Sequence, residues 1–438
     1  MGMNARQFLP GLLLSLGICQ AGEWQQPTDG QDYGRLSVNW TPRAEDRAIA
    51  QRAWEMLKSA NKDCPKSDRK LRVVYVTFKD RPALPGYRER YDRIMKNIQA
   101  FYADQMQANG YPALTFELEL DAEGKLIIHD AHVDKLMAEV GIRSSGQIAR
   151  EAARKALAAK GLNLDNEHIL LVCQLPDGIG PYYGAGTSRS GIGYTCDQPG
   201  LDPLNFRDST EMKEARYPMS RGRNTTVYVG GTAHELGHGF GLPHTGEDPR
   251  YPDPTIRSLM GDGNHTYGNE LRGEGKGSYL APADAMKLAS LPLFSGVETT
   301  LSPDEIDGEF CGTYVPLQPE YVETIPVPEG VRVKGKVNPQ RQPYGVTLYL
   351  DPPEDDPWVD YDGDRFLRPR SWCDYDTSAV TGNISPDGEF DITITRPGYA
   401  KATIELRITV LYADGSRGLH FIPLQMTPHG AQAAKSGE

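Results

Sequence analysis

The stretch His234-Glu235-Leu236-Gly237-His238-Gly239-Phe240-Gly241-Leu242-Pro243-His244 reads H-E-x-x-H-x-x-G-x-x-H, and each fixed position has a chemical reason. His234 and His238 are four apart, so on a helix they share one face, one turn above the other. Such a pair can hold one Zn²⁺ while Glu235, between them, points at a water on the metal. Gly241 takes backbone turns that a Cβ resists, which ends the helix and reverses the chain. Pro243 cannot continue a helix, so His244 is free to return as a third ligand. Three neutral imidazoles and a water make an open, catalytic zinc site rather than a closed, structural one. A bare H-E-x-x-H also occurs as two solvated histidines on a helix, and the third histidine at this spacing argues against that reading.

Downstream, Ser258-Leu259-Met260-Gly261 supplies a methionine turn. The long motif and this turn together resemble the metzincins, a clan of zinc endopeptidases, without singling out one family of the clan. The resemblance implies one catalytic Zn²⁺ on His234, His238 and His244, with Glu235 as the catalytic acid and base. It implies that Met260 lies beneath the imidazoles as a hydrophobic floor and not as a ligand. It further implies an α/β (α+β) catalytic domain with a mixed sheet and a zinc-binding active-site helix. The likeness spans residues 45–297 but rests on specific motifs only over 234–260. Astacin-like members carry an oxyanion-supporting tyrosine two residues after the turn methionine, where this chain has Asp262. Tyr251 and Tyr267 are the substitutes at hand, though each also reads as a structural aromatic. His265 reads as a surface histidine, since three ligands are already supplied.

At 438 residues the chain is too long for one ordinary core, so two domains and a leader are expected. Hydrophobic residues make up 39% and charged residues 24%, as in soluble globular proteins. A net charge of −12 argues against nucleic acid or anionic membrane surfaces as partners. Residues 1–21 read as a secretory signal: Arg6, an apolar run over 8–18, then Cys19-Gln20-Ala21 before Gly22. That implies a secreted, periplasmic or cell-surface protein. Leu16-Gly17-Ile18-Cys19 loosely matches a lipoprotein box that would anchor the chain at Cys19, but Ile18 is bulky where such boxes want a small residue. No other segment is long and apolar enough for a transmembrane helix. Export permits disulfides, and Cys173 with Cys196 and Cys311 with Cys373 are the guessed pairs, leaving Cys64 odd. Cys64 as a latency switch on the zinc finds no supporting pattern around it, and a structural or free thiol is the simpler reading.

Residues 22–44 look like an extended lead-in. Helical character follows over 43–61, then a buried strand over 71–78 and an amphipathic helix over 88–108. Residues 114–120 alternate like a half-buried strand, with a second piece over 125–129. An alanine-rich helix (145–160) and a buried strand (168–175) complete a β-α-β-β-α-β order that suits a mixed sheet. The glycine-rich 184–194 has two readings: a surface loop, or the sheet edge along which metzincins lay their substrate. Residues 225–229 read as a short strand entering the motif helix through Gly230-Gly231, and a closing helix is expected over 280–291. From 298 to 430 the alternation of Phe390, Ile392 and Ile394, and of Ile404, Leu406, Ile408, Val410 and Tyr412, predicts an all-β sandwich, with 431–438 a tail.

The expected reaction is hydrolysis of peptide bonds in a protein or glycoprotein substrate, with surface or glycan attachment through the β-sandwich. The alternatives are a zinc amidase or aminopeptidase on a small substrate, and an inert binding protein. Asp355, Asp356, Asp360, Asp362 and Asp364 gather enough carboxylates for Ca²⁺. An EF-hand loop needs its glycine sixth, however, and Gly363 comes fourth, so a solvated acidic turn is the simpler reading.

Overall fold

The computed structural model describes residues 34–175, 183–212, 219–299 (except 247, 249, 252 and 254), 315–351 (except 318, 339 and 340), 377–396 and 403–433 (except 428). The expected leader with Cys19, the acidic run 355–364, Cys311 and Cys373 lie outside the described residues.

Helix α1 (Ala44–Ala60) has Glu45 and Asp46 in its first turn and Lys58 in its last, charges that complement the helix dipole. It buries Ile49, Ala50, Ala53 and Leu57. Strand β1 (Leu71–Phe78) follows, then α2 (Tyr87–Ala108), β2 (Ile128–Val133), the single turn α3 (Met137–Val140) and α4 (Ile142–Ala158). Strands β3 (His168–Cys173), β4 (Tyr183–Gly186) and β5 (Gly191–Cys196) complete a sheet of order β2-β1-β3-β5-β4. Every pairing is parallel except β4 with β5, so the sheet is mixed and β4 forms an edge. Both faces are covered. Leu71, Val73 and Tyr75 of β1 join a core with α1 and α2, while Val74, Val76 and Phe78 join one with α4. Continuous apolar runs are what such doubly buried strands require.

A small ladder of β6 (Glu211–Met212) and β7 (Met219–Ser220) leads into α5 (Arg221–Gly239), and parallel β8 (Ile256–Ser258) and β9 (Gly277–Tyr279) follow. Residues 225–229 are thus helix, not the expected strand. The Ser220 side chain caps α5 by accepting from Arg223 N at 3.1 Å, and Thr225 and Thr226 return their hydroxyls to carbonyls of the same helix. Gly230, expected to lead from that strand into the helix, lies inside it as a contact: a Cβ there would lie 2.5 Å from Tyr267 Cβ. Burial has overridden propensity. Residues 114–120 make only isolated bridges, Leu71 with Leu118 and Leu120 with Leu126, although Phe116 and Leu118 are buried as their alternation predicts. The closing helix stops early, as α6 (Pro282–Leu288), and Pro292 opens the separate turn α7 (Pro292–Ser295). Cys173 and Cys196 are free thiols on neighbouring strands, not a disulfide. The Cys173 sulfur instead meets the Tyr194 hydroxyl, and the Cys196 sulfur accepts from Leu175 N. Cys64 is likewise free, beside Asn61 at the end of α1.

The rest is β-rich. It holds β10 (Val315–Pro316), β11 (Pro319–Val327), β12 (Gly330–Val337), β13 (Pro343–Asp351) and β14 (Ser378–Gly382). After them come β15 (Glu389–Thr395), β16 (Thr403–Tyr412), β17 (Arg417–Thr427) and β18 (Gly430–Ala433). One sheet runs β10-β17-β16-β13-β14 with β18 on β17, the other β11-β12-β15, and both bury side chains in one core. The expected tail begins later than 431, because β18 pairs with β17. On β16 the face predicted to be apolar is buried, and so are Arg407, Thr409 and Leu411 on the opposite face. That second face is not solvated because the helices of the α/β part cover it: Tyr344, Leu411 and Ala413 pack into the core of α1, α2 and α6.

Candidate metal centre

The second half of α5 carries the histidine motif. Gly241 has φ of 78°, the left-handed conformation its position after the helix demands, and the chain then reverses so that His244 returns. His234 and His238 Nε2 stand 3.0 Å apart, and His238 and His244 Nε2 3.1 Å apart. Ligand atoms of all three, each buried, lie within 4.8 Å of one another, a group that could hold a metal ion.

The far side of two rings fixes their tautomer. His234 Nδ1 lies 2.7 Å from the Leu259 carbonyl, and His238 Nδ1 2.8 Å from that of Leu242. A carbonyl only accepts, so each Nδ1 carries the proton and each Nε2 keeps a lone pair. Two lone pairs facing each other at that separation repel unless a cation stands between them, and neutral imidazole nitrogens are donors for Zn²⁺ and its neighbours. Burial favours the same neutral form, pushing His234 down to about 4 and His238 well below its usual range. The donor set therefore fits a metal ion.

Met260 is wholly buried beside α5, where a Cβ on Gly237 would overlap its sulfur. Gly237, between the two helical histidines, thus lets the methionine turn close against the helix, and Leu259 of that turn supplies the carbonyl for His234. Glu235 is only partly buried, and desolvation pushes its carboxyl up to about 8. A dication beside it would bring that value down.

The glycine-rich segment resolves as the β4–β5 hairpin, with β4 at the sheet edge. Gly184, Gly186, Gly191 and Gly193 face α5 directly. A Cβ at Gly184 would overlap the Glu235 carbonyl, and one at Gly186 or Gly191 that of Gly239. Helix α5 therefore lies flush on the hairpin, and an alternation of glycines along a strand was the signal for it in the sequence. A cavity of 310 Å³ lined by Arg150, Asp165, Tyr183 and Thr187 opens on the α4 side of this hairpin, away from the histidines.

The tyrosine substitutes do not join the site. Tyr251 donates to Asp46 and accepts from Arg43 N, while Tyr267 donates to Asn97 at 2.9 Å in the core. His265 is exposed, as expected. Sequence reasoning missed Thr245, which donates its hydroxyl to Asp284 at 2.9 Å and its backbone N–H to the Met260 carbonyl, pinning the residue beside His244.

A buried three-histidine centre, two histidines on a helix against a mixed sheet and the third on the loop after it, joined to a β-rich region, defines the class of structure. Within it the chain is similar to solved structures of OgpA from Akkermansia muciniphila. The wild-type protein superposes with a TM-score of 0.63 at 20% identity, covering 85% of this chain and 97% of that one. A second wild-type crystal form gives 0.61 at 21% identity, with 85% and 96% covered. A catalytically inactive form in complex with an O-glycopeptide substrate, glycodrosocin, gives 0.63 at 19%, covering 85% and 97%. At this identity the likeness establishes the shared fold. No family model matches the sequence, and no curated protein matches it.

Proposed function

We propose that the chain is an exported, metzincin-type zinc endopeptidase that hydrolyses peptide bonds in protein or glycoprotein substrates. Residues 45–297 form its catalytic domain and 298–430 its β-rich domain. The observation that carries this reading is the convergence of three buried imidazoles, two on a helix packed against the edge hairpin and the third on the loop after it. Zn²⁺ held by His234, His238 and His244 would supply Lewis acidity to the scissile carbonyl and to water. Glu235 accepts the proton of the attacking water and returns it to the leaving amine nitrogen. The Leu259 and Leu242 carbonyls keep the rings of His234 and His238 aimed. Met260 serves as the apolar floor.

An extended peptide adds to the outer edge of β4, which pairs with no other strand among the described residues. An edge strand beside the site favours a polymer over a small amide, whereas a blind pocket with a carboxylate for the substrate amine would suit an aminopeptidase. Glu235 in place speaks against an inert binding protein. The substrate class follows the O-glycopeptide bound by the structural neighbour, an argument by analogy of fold. No helix among the described residues is long and apolar enough to cross a membrane. The test is incubation of the zinc-loaded chain with whole proteins and with small amino-acid amides: internal cuts support the reading, and release of the amides alone would replace it with the small-substrate alternative.

A further inference from the structure

We propose that the β-rich domain completes the metal centre, with Arg417 as the positioning residue for the loop that brings His244 back to the other two histidines. The inference rests on the metal reading above. His244 sits on a loop with no secondary structure of its own, and a ligand placed loosely costs metal affinity. The loop is gripped on both sides of His244 from the C-terminal strands. Before it, Arg417 at the start of β17 donates Nη1–H to the Gly241 carbonyl at 2.7 Å. After it, Gly246 N donates to the Thr377 carbonyl at 2.8 Å, and the Thr377 hydroxyl donates to Asp351 at 2.7 Å.

Arg417 is 1% exposed, so its guanidinium is withdrawn from water and donates Nη1–H to the Gly241 carbonyl. A Cβ on Gly241 would lie 3.0 Å from Arg417 Nη1 and 3.2 Å from the Gly186 carbonyl. The metal loop, the β-rich domain and the edge strand β4 therefore meet at one point. The guanidinium fixes where α5 ends and the chain turns, and through that turn the position of His244. Attachment to a surface, expected from sequence for this domain, gives no reason for a buried arginine at the metal loop.

The test uses the full chain, with zinc affinity measured by chelator competition and ligand geometry by the visible spectrum of the Co²⁺-loaded protein. Arg417→Met should weaken zinc binding about 10- to 100-fold and alter the Co²⁺ spectrum. Arg417→Lys, which keeps a charge and a donor, should lose less. Arg407→Met is the control: Arg407 is equally buried in β16 but lies over the Tyr349 and Phe421 rings, so its loss should lower stability and leave zinc affinity and spectrum unchanged. If Arg417→Met does not fold, Arg417→Lys is read in its place and should bind zinc measurably more weakly than wild type. Wild-type affinity and spectrum in the Arg417 variants, or equal weakening by Arg407→Met, would overturn this inference alone. A wild-type chain that holds no metal would overturn the metal reading and this inference with it.

Discussion

In the proposed reaction Glu235 and the histidines do separate jobs, and substitution can part them. Glu235→Gln keeps the shape and the neighbours of the side chain but cannot take a proton. It should retain the zinc content of wild type while turnover falls about 10²- to 10⁴-fold. Metal analysis and kinetics on the same preparation check this, and zinc lost in the variant would make Glu235 a ligand instead. At this scale the sequence was most informative. The spacing of His234, His238 and His244 and the glycine at 241 are local requirements, set by one helical turn and one left-handed backbone conformation. The partners of those residues were not legible. The Leu242 and Leu259 carbonyls are backbone groups, and Arg417 stands 176 positions from Gly241, so no pattern in the chain marks them.

Among the elements, the hairpin of β4 and β5 and helix α5 depend on each other. Gly184→Ala would place a methyl group into the Glu235 carbonyl and push hairpin and helix apart. The expected cost is roughly 1–3 kcal/mol in denaturant unfolding, with loss of turnover larger than that of stability alone. Unchanged activity would mean that the hairpin does not set the position of the metal helix. A second element carries a pH signature. Glu270, in the helical turn Asn269–Arg272, has its carboxyl pushed up to about 7 by burial, and its Oε2 has no hydrogen-bond partner. Its folded value is above the ~4.3 of an unfolded chain, so its stabilising contribution is whole below that pH and is lost as pH rises through 7. Glu270→Gln should therefore unfold at a higher temperature than wild type at pH 8 and close to it at pH 4. Parallel pH profiles for the two proteins would refute the assignment. Elements with one dominant period, such as α2 or β16, were legible because burial and propensity agree. Residues 225–229 were not: a Thr- and Val-rich run favours a strand, and only the packing of α5 makes it helix. Residues 114–120 show the reverse case, where alternation gave Phe116 and Leu118 as buried, but Leu120 is exposed and no continuous ladder formed.

For the whole molecule, the change of texture near residue 298 was visible in the sequence, while the fusion across it was not. Tyr344 donates to the Met286 carbonyl at 2.7 Å, Leu411 and Ala413 enter the first core, and Arg417 reaches the metal loop. The two parts share apolar surface as the halves of one core do, which is why the second face of β16 is buried. The structural neighbour in complex with an O-glycopeptide covers 85% of this chain, and the substrate proposal is an analogy of fold with it. The most direct test is mass-spectrometric mapping of cuts in an O-glycosylated protein, before and after removal of its glycans. It is run with the zinc-loaded chain, with Glu235→Gln and with the chelated protein. The account predicts internal cuts next to glycosylated serine or threonine, lost in both controls and reduced on the deglycosylated substrate. Cuts that persist in Glu235→Gln or under chelation, or no internal cut in any protein by a chain shown to hold zinc, would contradict it.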